Sequence, residues 1–215
     1  MKSLCSVGLV TVLLTSGLTM GSDLLITAVY DGPLSGGTPK GVELYVENDI
    51  SDLSVYGLGS ANNGGGTDGE EFTFPPEAAF AGSFIYVTNN EGSFNDYFGF
   101  FPGYSSGAMS INGDDAIELF QNGSVVDVFG DINVDGNGTK WEYLDGWAYR
   151  NDDSMPNGGI FNAGDFFYSG PNALDGCSTN DSCGSVMPIG TYTPGGEGPL
   201  VIIVEQMGYS FVPDV

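Results

Sequence analysis

The sequence predicts an all-β fold, an immunoglobulin-like Greek-key β-sandwich with long Gly/Asn/Asp-rich loops, on three observations. Val42, Leu44 and Val46 alternate with Glu43, Tyr45 and Glu47, the two-residue period of a strand with one buried face. Ala116 to Phe120 and Ser124 to Phe129 flank Asn122 and Gly123, the pair that accepts the positive φ angles of a tight hairpin turn. Helix formers are scarce, with two Gln and four Lys plus Arg in 215 residues, so little is left to build exposed helix faces.

In chain order, the expected strands are short apolar runs bounded by Gly, Asn, Asp or Pro. They are Leu24 to Tyr30, Gly41 to Glu47, Leu53 to Leu58, Glu71 to Phe74, Ser83 to Thr88 and the hairpin. One short helix is expected around Ser93 to Phe98. Asn62 to Gly69 and Asn151 to Gly159 read as flexible connectors, and no internal repeat stands out. Gly and Pro make up about 21% of the chain, below the roughly 25–30% of low-complexity chains. With 41% hydrophobic residues, including 14 Phe and 11 Tyr, one packed domain is expected.

Composition excludes whole classes of chemistry. With no His, the chain has no imidazole base, no Ser-His-Asp or Cys-His pair and no His-ligated metal. Only Lys2, Lys40, Lys140 and Arg150 could neutralise phosphates, against 28 Asp plus Glu, so nucleic acid and anionic membranes are poor partners. The net charge of -24 suits a self-repelling, soluble surface and makes a metal cation the natural small partner.

Residues 1–21 read as a signal peptide: Lys2, an apolar stretch from Leu4 to Leu18 too short and broken to span a membrane, then small residues for cleavage. A buried first strand is the alternative for this segment. Export implies a secreted, extracellular protein. Removal takes Cys5 away and leaves Cys177 and Cys183, an even pair expected to close a short disulfide loop worth about 2 kcal/mol. A two-thiolate metal site there lacks further ligands.

One loop carries a metal signal. Asp131, Asn133, Asp135, Gly136 and Glu142 stand at the first, third, fifth, sixth and twelfth positions of a calcium-loop pattern. Calcium takes six to eight oxygens; Asn137 would add its carbonyl and Glu142 would close the shell in bidentate fashion, with Gly136 giving the sharp turn. For this composition the full pattern arises by chance on the order of 0.003 times. Flanking strands replace the usual helices and Gly138 replaces an apolar residue, so an Asx-rich turn is the competing reading. The adjacent acids Glu70 and Glu71, Asp114 and Asp115, and Asp152 and Asp153 read as solvated turns rather than glycosidase dyads. Asn122, Asn137 and Asn180 head glycosylation sequons, and occupancy of Asn137 would conflict with the calcium loop.

Val42 to Val46, Asp52 to Leu58 and Ala81 to Phe84 together resemble the lamin tail domain family. Val128 to Gly136, Trp141 with Glu142, Gly146 to Arg150 and Ser169 to Asp175 resemble, more specifically, the lamin-tail-like module at the front of bacterial secreted nucleases and other exported proteins. The resemblance covers roughly Asp23 to Tyr192. It implies an immunoglobulin-like sandwich without catalytic residues, used for attachment, targeting or interaction, in which Glu43 and Trp147 serve packing. Residues 22–193 form this domain. Residues 194–215 are a Pro/Gly linker and a strand, Leu200 to Pro213, that weakly resembles the first strand of a cupredoxin domain; the expected reading is truncation before a following domain, or else an edge strand. The expected function is a secreted, non-catalytic, calcium-binding module for extracellular attachment or interaction with an unknown protein or surface. The alternatives are the accessory domain of an exported nuclease or hydrolase, or the front of a copper redox protein.

Overall fold

The computed structural model describes residues 22–195. The expected signal segment and the strand beyond residue 195 lie outside the described residues. The strands are β1 (Leu24–Leu34), β2 (Thr38–Val46), β3 (Tyr56–Ala61), β4 (Phe72–Thr73), β5 (Phe84–Thr88), β6 (Tyr104–Ser105), β7 (Ala116–Gln121), β8 (Ser124–Phe129), β9 (Gly146–Arg150) and β10 (Phe166–Tyr168), with one α-helix, α1 (Glu91–Phe98). They form a six-stranded sheet, β10-β9-β1-β2-β5-β6, and a four-stranded sheet, β4-β3-β7-β8. The chain deals successive strand pairs alternately to the two sheets. The fold is therefore mainly β, consistent with a β-sandwich.

Local chemistry explains where elements start and stop. Leu53 to Val55 is a 3-10 turn rather than strand, because the Asp52 side chain accepts the Ser54 N–H and caps it. The helix begins at Glu91, earlier than expected, since Asn90 caps it by accepting from Ser93 N, and it ends at Gly99 in the left-handed region at φ 83°. The hairpin turn is as expected, with Asn122 at φ 50° and Gly123 at φ 76°.

One core lies between the sheets, where Leu24, Ile26, Val29, Val42 and Leu44 meet Leu58, Ile117, Leu119 and Phe129. A second covers the other face of the six-stranded sheet, where Leu25, Tyr30, Tyr45, Trp147 and Tyr149 lie beneath Phe94 and Tyr97 of α1 and Leu174, Cys183, Met187 and Tyr192. The half-exposed strand expected at residues 42–46 is thus buried on both faces. Cys177 and Cys183 are disulfide-bonded within the covering segment.

The sheets are clasped where β1 departs from regularity. Its pairing with β2 shifts between Ile26 and Ala28, a bulge at Thr27 that changes which side chains face inward. The Ile26 N–H then donates to Asp127 Oδ2 of β8 (2.8 Å), and Ile26 O accepts from Arg150 Nε of β9 (2.6 Å). Arg150 Nη2 reaches Asp127 Oδ2 at 2.6 Å, with both side chains fully buried, and its guanidinium lies 4.7 Å from the Phe166 ring centre. Asp127 Oδ1 accepts the Asn157 N–H (3.0 Å), while the Asn157 amide pairs with the Val128 N–H and carbonyl. Asn157 belongs to a segment expected to be only a flexible connector, yet it completes the edge of β8. Removing one partner of a buried pair strands the other charge. Arg150→Met is expected to cost about 3–5 kcal/mol in urea unfolding; a loss below about 1 kcal/mol would contradict the clasp.

Candidate functional site

The loop joining β8 to β9 is shaped by its own carboxylates. Asp131 Oδ1 accepts the Asn133 N–H and Asp135 Oδ1 the Asn137 N–H, each at 2.9 Å, and Glu142 Oε2 accepts the Gly138 N–H at 2.8 Å. The Gly136 N–H donates to Asp114 O at 3.0 Å, pinning the loop to the turn before β7. Gly136 is required for space rather than for a left-handed turn: a Cβ there would stand 2.4 Å from Trp141. The positive φ angles fall instead on Gly130 and Gly138.

The five expected calcium ligands do not share one recess. Asp131 and Asn133 line a hollow of about 280 Å³ beside Ile160 and Phe161. Asn137 and Glu142 line another, of about 440 Å³, with Asp31, Lys40, Asn112, Asp114 and Asp145. Asp135 lines neither, though its charge acts on Asp114. Among the described residues, no three Asp, Glu or Cys side chains stand close enough together to hold a metal ion as placed.

The larger recess has a strongly negative field that the loop pattern did not reveal. Asp31 is 1% exposed, and Lys40 Nζ lies 3.0 Å from its Oδ1 while donating to Asn112 Oδ1 at 3.1 Å. Burial pushes the Asp31 carboxyl up, Lys40 pulls it down, and the Asp145 charge adds to the rise. Burial also raises Asp114, helped by the charges of Asp115, Asp135 and Glu142; its Oδ1 has no hydrogen-bond partner. Asp145 is raised by burial and by Asp175, against the pull of Lys40. One ammonium serves this group of carboxylates, all presenting hard oxygens.

Other expected sites change character. Asp115, read as a solvated turn, is 1% exposed and accepts the Asn63 and Asn112 N–H groups. Asn180 is 5% exposed, with its amide bonded to both backbone groups of Met187, so its side-chain nitrogen is not presented for glycosylation. Asn122 and Asn137 are exposed.

Glu43 is a buried acid that the strand pattern placed on a half-exposed face. Its carboxylate accepts from Thr27 Oγ1 and Tyr149 OH, both at 2.8 Å, and from the Gly190 N–H at 2.6 Å. Tyr149 OH in turn accepts the Thr191 and Tyr192 N–H groups, so this cluster fastens the covering segment to the sheet. Burial pushes Glu43 from 4.5 up to about 7, against the lowering effect of Thr27, Gly190 and Tyr149. The folded chain thus keeps a proton that the unfolded chain releases. Stability should fall as pH rises from 4.5 to about 7, by about 3 kcal/mol from this group. Urea unfolding across that range should show the decline, and Glu43→Gln should flatten it; an equal slope in both proteins would rule Glu43 out as its source.

Compared with protein-family models, with curated proteins and with solved structures, the chain matches none.

Proposed function

We propose that this chain is an exported, non-catalytic module of the immunoglobulin-like Greek-key sandwich type, similar to the lamin tail domain, that serves extracellular attachment or interaction and takes calcium into its acidic recess. The observation that supports the reading is that Asp31, Asp114, Glu142 and Asp145, with Asn112 and Asn137, come from separate chain segments to line one recess of about 440 Å³, where an ion would draw side chains inward from their present spacing. Carboxylates and amide carbonyls are the donors calcium prefers, and its flexible coordination tolerates an irregular set. Glu142 and Asn137 belong to the expected loop, whereas Asp131 and Asn133 sit in the neighbouring hollow, so the ion is assigned to the recess and not to the contiguous loop. The composition supports a binding role: no His is present, and Arg150, one of four cations, is committed to the sheet clasp.

A cation that binds only the folded state raises its melting temperature. Calcium at a hundredfold excess over its dissociation constant is worth about 2.7 kcal/mol, roughly 5–10 °C for a domain of this size. The rise should vanish with chelator and in Asp114→Asn/Glu142→Gln, and persist in Asp131→Asn, which keeps the Asn133 cap. Loss in Asp131→Asn alone would return the ion to the contiguous loop, and no calcium shift in the parent protein would reject the cation reading. Robust phosphodiester turnover with divalent metals would reject the non-catalytic reading.

A further inference from the structure

The covering segment over the outer face of the six-stranded sheet stops short of β10, leaving a slot of about 240 Å³. Its floor is aromatic. Phe167 of β10 lies opposite Tyr149 of β9 in register and leans on Trp147, with ring centres 5.6 Å apart and planes at 34°. Phe167 is 60% exposed, against 4% for Trp147 and 5% for Tyr149. Pro188 and Thr191 form the opposite wall, and Asn151 and Asp152 complete the lining.

Accounting for the slot's polar atoms identifies what it lacks. Trp147 Nε1 donates to Ser185 O, Tyr149 OH to Glu43, Thr191 Oγ1 to Pro188 O and Asn151 Nδ2 to Gly164 O. Arg150 contributes to the lining but is 1% exposed, with Nε, Nη1 and Nη2 bonded to Ile26 O, Met155 O and Asp127. Among the described residues, Asn151 Oδ1 accepts no hydrogen bond, and Asp152 uses Oδ1 to accept the Thr193 N–H while Oδ2 has no partner. The slot therefore offers acceptors and an exposed ring face, and each of its side-chain donor atoms already makes a hydrogen bond elsewhere. An anion meets the Asp152 carboxylate and an Arg150 already paired with Asp127, and a sugar meets few donors for its hydroxyl lone pairs.

We propose that the slot receives a guanidinium group, the arginine side chain of a partner polypeptide, stacked on the exposed ring of Phe167 with its N–H groups on Asp152 and Asn151. A planar, weakly hydrated cation matches an exposed ring face beside a carboxylate better than a compact ammonium does. The net charge of -24 draws such a partner in, and β10, the terminal strand of its sheet, leaves room for a second chain to pass alongside. This deepens the interaction reading above and rests on it, but not on the calcium recess.

The test is titration of the full chain in calcium buffer with blocked Gly-Arg-Gly, its citrulline and lysine counterparts and methyl glucoside, followed by calorimetry. The arginine peptide should bind about tenfold more tightly than the citrulline peptide and measurably more tightly than the lysine peptide. Phe167→Ala and Asp152→Asn, both at exposed positions, should each weaken it about tenfold while leaving the melting temperature nearly unchanged. Equal binding of arginine and lysine peptides that survives Phe167→Ala would mean diffuse attraction to an acidic surface and would overturn the proposal. So would preference for the glucoside, or no arginine binding at millimolar concentration. The calcium melting shift, read on the same samples, keeps the two readings apart: its persistence alongside failed peptide binding sinks the slot alone.

Discussion

Two sheets can slide over one another if only apolar side chains lie between them, because hydrophobic contact has no direction. The Asp127–Arg150 pair supplies direction. It joins β8 of one sheet to β9 of the other and bonds both backbone groups of Ile26 at the β1 bulge, where the regular ladder with β2 shifts. The bulge also decides which side chains of β1 face which core, so the pair and the two cores depend on the same irregularity. A buried ion pair is costly in desolvation, and a well-packed apolar substitute is often as stable. Its contribution here is to register: four groups from three strands meet in one arrangement, and a slip by one residue would leave all of them unpaired.

Glu43 shows the other way to bury an acid. It faces no cation and relies on two hydroxyls and one backbone N–H, so burial keeps its proton near neutral pH. The few cations are placed with care: Arg150 goes to the inter-sheet clasp and Lys40 to the edge of the acidic recess, while the buried carboxylates of Glu43 and Asp115 are met by donors that carry no charge. With so many acids at the surface, a partner bringing positive charge meets little competition, whether the partner is an ion at the recess or a side chain at the slot.

Much of the β architecture was legible because alternation and turn chemistry act locally. Val42 to Val46 and the Asn122-Gly123 hairpin fall where spacing put them. Asn90, three residues before Ser93, was a readable cap that would have moved the helix start. By contrast, β9 has no polar face, because Trp147 and Tyr149 are buried on one side and Ala148 and Arg150 on the other, so no alternation marks it. The three residues of β10 are too few for any period. The Cys177–Cys183 disulfide followed from cysteine number and compartment. The calcium pattern marked a loop, and a linear pattern cannot say that Asp131 and Glu142 would line different hollows. Nor could it bring in Asp31, a hundred residues away in the chain, which reaches the recess only through the pairing of β1 with β2 and β9.

The second core has a different kind of closure from the first. The inner core lies between two sheets; on the outer face, the aromatics of β1, β2 and β9 are roofed by one short helix and an irregular strap stapled to itself by a disulfide. The strap returns to the sheet through the amide hydrogens of Gly190, Thr191 and Tyr192, which converge on the paired side chains of Glu43 and Tyr149, and through Ser185 O, which accepts from Trp147 Nε1. The outer core thus owes its closure to polar bonds between buried side chains of the sheet and an irregular strap, whereas the inner core is closed by the sheets themselves.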